Sequence, residues 1–249
     1  MKRIYLKIKR QDSPEGAPYW EHFQIPRRPG LTVVGLLRDI RFSPRNAKGE
    51  AVAPVVWESN CEEGACGSCA MRINGRPGLA CRTAVGESRH PLVLEPMGGF
   101  PVLRDLVVDR ERLFDSFRRT NDWIETGPSS QELLPDVGRQ TVSSLARALS
   151  ACVSCGLCLA VCPQSHTPEH AHERTEGFIG PAALARLLQF HLTSANESAR
   201  AKRMKVVTSP GGLEECGHAQ NCQSACPSDV PLLTSIALLN REATKHLLR

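Results

Sequence analysis

The sequence predicts an α+β protein in two parts, a mixed β-sheet with one helix followed by a helical part. Short stretches of the first hundred residues alternate apolar and polar side chains, as strands with one buried face do. Helical periodicity replaces this alternation after about residue 107. The eleven cysteines stand in three tight groups, and 249 residues with 41% hydrophobic content are enough to bury a core around them.

The N-terminal segment predicts a β-hairpin followed by a helix. Apolar side chains alternate over residues 4–8 and again over residues 23–25, and a polar stretch with Gly and Pro separates the two. Thr32 is a residue type that caps helices, and apolar residues of 33–40 recur at the i, i+3, i+4 and i+7 positions of one helix face. We therefore expect the order strand, strand, helix.

Three more short strands are predicted in the first hundred residues. They cover residues 55–57, 71–73 and 92–94, and the second of them runs into Asn74-Gly75, a dipeptide typical of a type I′ hairpin turn. The first cysteine group begins between the first two strands. We therefore expect its cysteines on a loop at one edge of the sheet.

The C-terminal part predicts helices with cysteine loops between them. Residues 113–117 indicate one helix, and after Trp123 a stretch of Gly, Pro, Ser and polar residues extends to about residue 140. Further helices are predicted over residues 141–151, 181–191 and 231–244, the last two with Pro in the first turn. The predicted domains are residues 1–106, a connecting helix and linker over 107–140, and a helical domain over 141–249.

Charge and hydropathy exclude several functional classes. The formal net charge of +5 is dispersed among acidic residues, so we expect no nucleic-acid partner. The N-terminal MKRIYLKIKR lacks the continuous apolar segment of a signal peptide, and no stretch reaches the roughly 18 apolar residues of a transmembrane helix. We expect neither a signal peptide nor a membrane span, and hence a compartment that keeps thiols reduced.

The first cysteine group has the spacing of a plant-type 2Fe-2S site. The pattern C-x4-C-x2-C with a distant fourth cysteine is complete in Cys61, Cys66, Cys69 and Cys81. Glycines at 64 and 67 let the backbone approach the cluster and direct N–H groups toward its sulfur atoms. Zinc and buried reduced thiols are the alternatives, but zinc ligands come mostly as C-x2-C pairs without a glycine-lined loop.

The second and third groups resemble the two halves of a bacterial two-cluster ferredoxin. "CVSCGLCLAVCP" is the run C-x2-C-x2-C-x3-C-P, whose fourth cysteine ligates the other cluster. "CGHAQNCQSACP" repeats the run with Ala219 in place of its second cysteine. The exchange rule predicts a 4Fe-4S cluster held by Cys152, Cys155, Cys158 and Cys226. It predicts a 3Fe-4S cluster held by Cys162, Cys216 and Cys222, because an alanine methyl cannot coordinate a fourth iron.

Histidines offer an alternative at the third group. A 4Fe-4S cluster whose labile iron carries water or another residue would also fit three cysteines, and His218 is close enough in sequence to be considered. His166, His170 and His172 also lie near these loops, but four, four and three cysteines already satisfy the predicted clusters. We expect these three histidines on the surface.

The sequence contains no other constellation for substrate chemistry. It has no Walker loop, no G-x-G-x-x-G after a strand, no G-x-S-x-G elbow and no H-E-x-x-H, so no catalytic residue is predicted. Three clusters without a substrate site indicate a protein that passes electrons between two partners. A freely diffusing ferredoxin-type carrier and a zinc-stabilised interaction module remain as alternatives.

The order of these motifs resembles the iron-sulfur subunit of succinate dehydrogenase and fumarate reductase, in particular its Bacillus-like branch. "FPVLRDLVVDR", "FIGPAAL" and "SIALLNR" are also similar to that family. The resemblance covers essentially the whole chain. It implies a β-grasp plant-type ferredoxin domain followed by an all-α bacterial-ferredoxin-like domain.

The resemblance also implies a membrane-associated complex on the cytoplasmic face of the cell membrane. The partners would be a flavoprotein with FAD, where succinate and fumarate interconvert, and a cytochrome b type membrane anchor with haem b and quinone. Neither FAD nor succinate would bind this chain itself. The direction of the reaction stays open, and so does a cluster subunit of another dehydrogenase or of a heterodisulfide reductase.

Two positions depart from the family members that reduce ubiquinone. Those members carry a Trp five residues after the cysteine matching Cys162 and a His directly after the one matching Cys216, where this chain has Thr167 and Gly217. The departures put the usual quinone site in doubt. They suit a branch with a di-haem anchor that uses menaquinone in preference to ubiquinone.

Overall fold

The computed structural model describes residues 3–86, 90–121, 123, 143–165, 177–194 and 196–248. The strands in chain order are β1 (Arg3–Arg10), β2 (Tyr19–Pro26), β3 (Ala70–Ile73), β4 (Arg76–Leu79), β5 (Leu92–Glu95), β6 (Val102–Arg104) and β7 (Val107–Val108). The helices are α1 (Val33–Phe42), α2 (Glu111–Arg119), α3 (Ser144–Leu149), α4 (Leu157–Ala160), α5 (Pro181–Thr193), α6 (Glu197–Val207), α7 (Asn221–Ala225) and α8 (Leu232–Leu247).

The chain divides into two compact units. The first unit contains Met1–Arg110 together with Val153–Val161, and the second contains Glu111–Cys152 together with Cys162–Arg249. Each unit has its own buried apolar residues. The segment with the second cysteine group crosses from one unit to the other, because Val153–Val161 belongs to the first unit and Cys152 and Cys162 to the second.

A five-stranded mixed sheet forms the centre of the first unit, with the strand order β2-β1-β5-β3-β4. The predicted N-terminal hairpin is confirmed, since β1 and β2 pair antiparallel from Arg3↔Pro26 to Arg10↔Tyr19. Strand β5 runs parallel to β1 and antiparallel to β3. The alternation of β1 places Leu6 and Ile8 in the core, as the period of two requires.

Helix α1 has the predicted cap and buried face. The Thr32 hydroxyl accepts a hydrogen bond from the Gly35 N–H at 3.3 Å, and residues Val33, Val34, Leu36, Leu37 and Ile40 are buried. The first N–H groups of the helix donate to the chain around the fourth cysteine, from Val33 to the Thr83 carbonyl and from Val34 to the Ala80 carbonyl. The helix thereby fixes the segment that carries Cys81.

The predicted strand at residues 55–57 is wrong. In the described part of the chain, the backbone of Val56 does not pair with another strand. Its N–H donates to Asp105 Oδ2 at 2.8 Å, and its carbonyl accepts from the Leu106 N–H. Asp105 is fully buried and also accepts from the Arg10 guanidinium, which pairs with Glu21 as well. A buried side-chain network here replaces the backbone pairing that the apolar run suggested.

The helices of the second unit surround α5. Eight of its thirteen residues are buried, around most of its circumference, and it packs against α2, α3, α6 and α8. The predicted helices over 181–191 and 231–244 are confirmed as α5 and α8. The predicted helix over 141–151 is observed as α3, and residues 141–142 lie outside the described part of the chain.

Several elements were not predicted, among them a small second sheet and a helix. Strands β6 and β7 form a separate two-stranded sheet of only five residues in total, which is too short for a clear alternating pattern. Helix α6 has the sequence ESARAKRMKVV, whose charged residues interrupt the apolar periodicity. Its Arg203 is nevertheless 1% exposed and donates to the backbone carbonyls of Asn121, Phe190 and Trp123. Within the described ranges, no helix combines the length and apolar character needed to cross a membrane.

Candidate functional site

The β3–β4 hairpin brings two cysteines of the first group together. Cys69 directly precedes β3 and Cys81 follows β4 by one residue, so the turn at Asn74-Gly75 folds the eleven intervening residues back on themselves. Both turn residues have positive φ, as a type I′ turn requires. The Ala80 N–H donates to the Cys69 carbonyl at 3.1 Å, which extends the pairing by one step.

The two sulfur atoms at the open end of this hairpin lie close together. Cys69 Sγ and Cys81 Sγ are 3.3 Å apart, and both residues are buried. Two thiolates on one tetrahedral metal with bonds of about 2.3 Å lie about 3.8 Å apart. The observed distance is about 0.5 Å shorter than this, so a small separation of the two sulfur atoms would allow both to bind one metal atom.

The other two cysteines of the group lie on the loop that precedes the hairpin. The N–H groups of Ala65 and Cys66 both donate to Cys61 Sγ, at 3.2 and 3.3 Å, and Ser68 Oγ lies 3.1 Å from Cys66 Sγ. The loop thus supplies hydrogen bonds to the sulfur atoms that an iron-sulfur cluster leaves partly charged.

The acidities of these thiols differ in the direction that their surroundings dictate. A backbone hydrogen bond from Cys61, followed by the Ser68 hydroxyl, lowers the pKa of Cys66 to about 6. Burial, followed by the hydrogen bond with Cys69, raises the pKa of Cys81 to about 12. A thiol with a raised pKa, such as that of Cys81, is nevertheless deprotonated when its sulfur coordinates a metal.

Two glycines allow the first loop to take its shape. Gly64 and Gly67 have φ angles of +85° and +71°, in the left-handed region that other residues rarely adopt. A Cβ at position 67 would lie 2.6 Å from the Val153 carbonyl oxygen and 2.8 Å from Cys155 Cα. The loop of the first cysteine group therefore touches the backbone of the second group at a point where only glycine fits.

The donor set and the loop fit a 2Fe-2S cluster. Four thiols converge from a loop and a hairpin, backbone N–H groups point at one of them, and the two glycines remove the side chains that would keep the backbone away. All eleven cysteines lie within the described residues, and none of them forms a disulfide. Within those residues, no three His, Cys, Asp or Glu side chains gather around the position of a single metal ion.

The cysteines of the predicted 4Fe-4S cluster are distributed over both units. Cys155 and Cys158 belong to the first unit. Cys158 lies on α4, and Cys155 lies in the turn before it, where Ser154 and Gly156 have positive φ. Cys152 and Cys226 belong to the second unit, and the Val230 N–H lies 3.4 Å from Cys226 Sγ as a donor. The joint ligation of one cluster by these four residues stays a prediction.

The three cysteines of the predicted 3Fe-4S cluster line one cavity in the second unit. The cavity measures about 140 Å³, well above the roughly 10–15 Å³ that one water needs, and Cys162, Cys216 and Cys222 all face it. Phe178 of the segment before α5 and Ile236 of α8 form part of its apolar wall. Burial raises the pKa of the Cys222 thiol, and the charges of Cys162 and Cys216 act in the same direction. A group that takes three thiolates fits this cavity.

Ala219 and His218 also line the cavity, and both are exposed at its opening. The Ala219 methyl and the His218 imidazole thus both lie at the cavity of the three cysteines, and a three-iron cluster without a fourth ligand stays a prediction. A Cβ added to Gly217 would lie 2.5 Å from Nε2 of the Gln164 side chain. His166, Thr167, His170 and His172 lie outside the described residues.

Two arginines near the cysteine loops were not predicted. Arg110 donates to the carbonyls of Gly67 and Ser68, and Arg112 donates to the Ser165 carbonyl, three residues after Cys162. Burial lowers the pKa of the Arg112 guanidinium, and the nearby Cys162 opposes this shift. No spacing rule connects these arginines to the cysteines, since their partners lie more than forty residues away in the sequence.

Comparison with known proteins identifies the family. The model of the 2Fe-2S iron-sulfur cluster binding domain matches residues 5–115, and the model of the 4Fe-4S dicluster domain matches residues 145–228. The chain is 39% identical to the succinate dehydrogenase iron-sulfur subunit of Bacillus subtilis, over all of this chain and 95% of that protein. The chain belongs to the family of succinate dehydrogenase and fumarate reductase iron-sulfur subunits.

Other members of this family show the same relationship at lower identity. The fumarate reductase iron-sulfur subunit of Haemophilus influenzae is 32% identical, over 86% of each chain. A chain of the Mycobacterium smegmatis Sdh1 complex in the apo form has a TM-score of 0.77 with 22% identity and covers 99% of this chain and 98% of its own length. At that identity, the structural match concerns the fold alone. The predicted order of a 2Fe-2S domain before a 4Fe-4S domain is confirmed.

Proposed function

We propose that this chain is the electron-transfer subunit of a succinate:quinone oxidoreductase. The observation that carries the proposal is the full-length similarity to the Bacillus subtilis subunit together with eleven cysteines that stand in groups of four, four and three. The site of succinate oxidation belongs to a partner chain. This chain would contribute no catalytic residue, and its role would be to hold three one-electron centres at fixed positions.

The three centres are assigned to cysteines as follows. Cys61, Cys66, Cys69 and Cys81 would hold a 2Fe-2S cluster, Cys152, Cys155, Cys158 and Cys226 a 4Fe-4S cluster, and Cys162, Cys216 and Cys222 a 3Fe-4S cluster. When bound, the clusters supply centres that accept and release one electron each. The convergence of the first set and the cavity lined by the third set support the assignment. The approach of Gly67 to Cys155 supports a short path between the first and second clusters.

The finer description of the domains follows from the same assignment. The mixed sheet with helix α1 across it supports a β-grasp plant-type ferredoxin domain over residues 1–106. The helices around α5 support an all-α bacterial-ferredoxin-like domain over residues 141–249, after a connecting helix and linker over 107–140.

Two partner chains are implied. One is a flavoprotein with FAD, and the other is a cytochrome b type membrane anchor with haem b and a quinone site. The chain would then be peripheral on the cytoplasmic face of the membrane. We propose menaquinone as the quinone, because Thr167 and Gly217 stand where the family members that reduce ubiquinone carry Trp and His.

A quinol:fumarate reductase is the second candidate, and the 32% identity to the Haemophilus influenzae subunit favours it. The same cluster ligands serve both directions, so the two candidates share every site residue. Comparing the rate of succinate oxidation with that of fumarate reduction in the purified complex separates them.

Electron paramagnetic resonance during a redox titration of the detergent-purified complex tests the proposal. We expect three iron-sulfur signals, one of each cluster type, and material that sediments with membranes until detergent is added. A protein without iron and sulfide after anaerobic purification would exclude all three assignments. A soluble, monomeric iron-sulfur protein would instead support the free ferredoxin-type carrier, and bound zinc would support the interaction module.

A further inference from the structure

Arg110 binds the backbone of the loop of the first cysteine group at two adjacent carbonyls. Its Nη1 donates to the Gly67 carbonyl at 3.3 Å, and its Nη2 donates to the Ser68 carbonyl at 2.5 Å. Both carbonyls lie in the two-residue stretch between Cys66 and Cys69. One guanidinium therefore ties down the whole segment that separates two of the four sulfur atoms.

The hydrogen bond to Ser68 acts directly on a cysteine. The Ser68 carbonyl belongs to the same peptide unit as the Cys69 N–H, so a cation at the carbonyl oxygen polarises that unit and strengthens its N–H as a donor. Hydrogen bonds and positive charge near a cluster raise its reduction potential, since they stabilise the more negative reduced state. Arg110 provides both effects at one place.

The surroundings of Arg110 determine how strongly its charge acts. Its side chain is only 13% exposed, while its ion-pair partner Glu58, with 3.3 Å between Nη2 and Oε2, is 46% exposed. The carboxylate is therefore better screened by water than the guanidinium. The Arg110 Nε is also buried, without a hydrogen-bond partner in the part of the chain that the structure describes, which leaves a donor for a bound group.

Gly67 links this arginine to the second cysteine group. Arg110 donates to the carbonyl of Gly67, and a Cβ added to this glycine would lie 2.6 Å from the Val153 carbonyl oxygen and 2.8 Å from Cys155 Cα. A shift of the Gly67–Ser68 segment would therefore change the first loop and its distance to the second loop together.

We propose that Arg110 is a positioning residue that fixes the Gly67–Ser68 segment and raises the reduction potential of the first cluster. The inference rests on the proposed 2Fe-2S site and goes beyond it by naming a residue that is not a ligand. A guanidinium is suited to this role because its planar fork binds two adjacent carbonyls, which a lysine ammonium does less well.

Redox titration of the 2Fe-2S signal in the purified complex tests the proposal. In Arg110→Gln we expect the reduction equilibrium to change roughly threefold to tenfold, a lowering of about 30–60 mV at 59 mV per tenfold for one electron. Glu58→Gln should shift the potential in the opposite direction by a smaller amount, because it removes the partly screened negative charge. Arg110→Lys keeps the charge and should lie closer to the wild type than Arg110→Gln.

Arg45→Gln is the matched control. Arg45 also donates to a backbone carbonyl, that of Gly49 at 2.9 Å, on an exposed loop of the same unit without cysteines. We expect its potential to equal that of the wild type.

Several results would overturn the inference. Equal potentials in Arg110→Gln and the wild type would refute it, and so would an Arg110→Lys protein that behaves like Arg110→Gln. If Arg110→Gln does not assemble the cluster, Glu58→Gln decides alone, and a potential that fails to rise refutes the effect of charge. A wild-type complex without any 2Fe-2S signal would instead refute the proposed function, a result that is distinguishable from unchanged potentials.

Discussion

Replacing Gly67 by alanine tests the close approach of the first two cysteine groups. The change has two costs. The left-handed φ of +71° costs a non-glycine residue about 1–2 kcal/mol. The new Cβ would also lie 2.6 Å from the Val153 carbonyl oxygen, and relieving such overpacking by backbone shifts costs about 1–3 kcal/mol.

Gly30 provides a matched control with the same backbone conformation. Its φ is +70°, but a Cβ there would meet no atom within 4 Å. Gly30→Ala should therefore lower the stability only by the cost of the left-handed φ, about 1–2 kcal/mol. Gly67→Ala should lose about 1–3 kcal/mol more.

Thermal loss of the visible iron-sulfur absorbance measures the difference, recorded at one scan rate because such unfolding is irreversible. At roughly 2–4 °C per kcal/mol for a chain of this size, Gly30→Ala should lower the melting temperature by about 2–8 °C. Gly67→Ala should lower it by about 2–12 °C beyond that. Equal melting temperatures for the two variants would refute the close approach of the loop to the Val153–Cys155 backbone.

Three further changes address other contacts. Ser68→Ala removes the hydroxyl that lies 3.1 Å from Cys66 Sγ and should lower the reduction potential of the 2Fe-2S cluster in a redox titration. Ser68→Thr keeps a hydroxyl and should preserve the potential. Equal potentials in the two variants would contradict the hydrogen bond. Asp105→Asn removes one of the two carboxylates that pair with the buried Arg10 guanidinium and should cost about 1.5–3 kcal/mol in thermal stability. A loss below about 1 kcal/mol would show that Glu21 alone suffices. Ala219→Cys should convert the three-iron signal toward a four-iron cluster of lower potential, and an unchanged spectrum would show that the third cysteine run is misaligned.

The sequence predicted the elements whose signals are local. The N-terminal hairpin pairs neighbouring strands whose residues are at most 23 positions apart. Helix α1 with its Thr32 cap and the Asn74-Gly75 turn depend on residues within ten positions of one another, and all three features are observed. The strand at residues 55–57 failed for the opposite reason. Its backbone partners, Asp105 and Leu106, lie about fifty residues further along the chain, where no local pattern points to them.

The same distinction applies to the candidate site. Cysteine spacing is a local signal, since a short loop around a cluster must present its thiols at fixed intervals. The spacing of eleven residues between Cys69 and Cys81 also follows from local structure, because two four-residue strands and a two-residue turn account for ten of them and Ala80 for the last. The predicted hairpin turn at Asn74-Gly75 therefore contained the information that places these two cysteines together.

Residues that contact the cysteine loops without being predicted ligands cannot be identified in this way. Arg110 reaches Gly67 and Ser68 over more than forty residues, and Gln164 reaches Gly217 over more than fifty. The ligands of a cluster must be residues that can bind iron, so they form a recognisable sequence motif. The reduction potential of the cluster also responds to any charge or hydrogen-bond donor that the fold brings near it. Two chains with the same eleven cysteines can therefore hold the same clusters at different potentials. The proposed effect of Arg110 is of this second kind, because it would change a potential without changing any ligand.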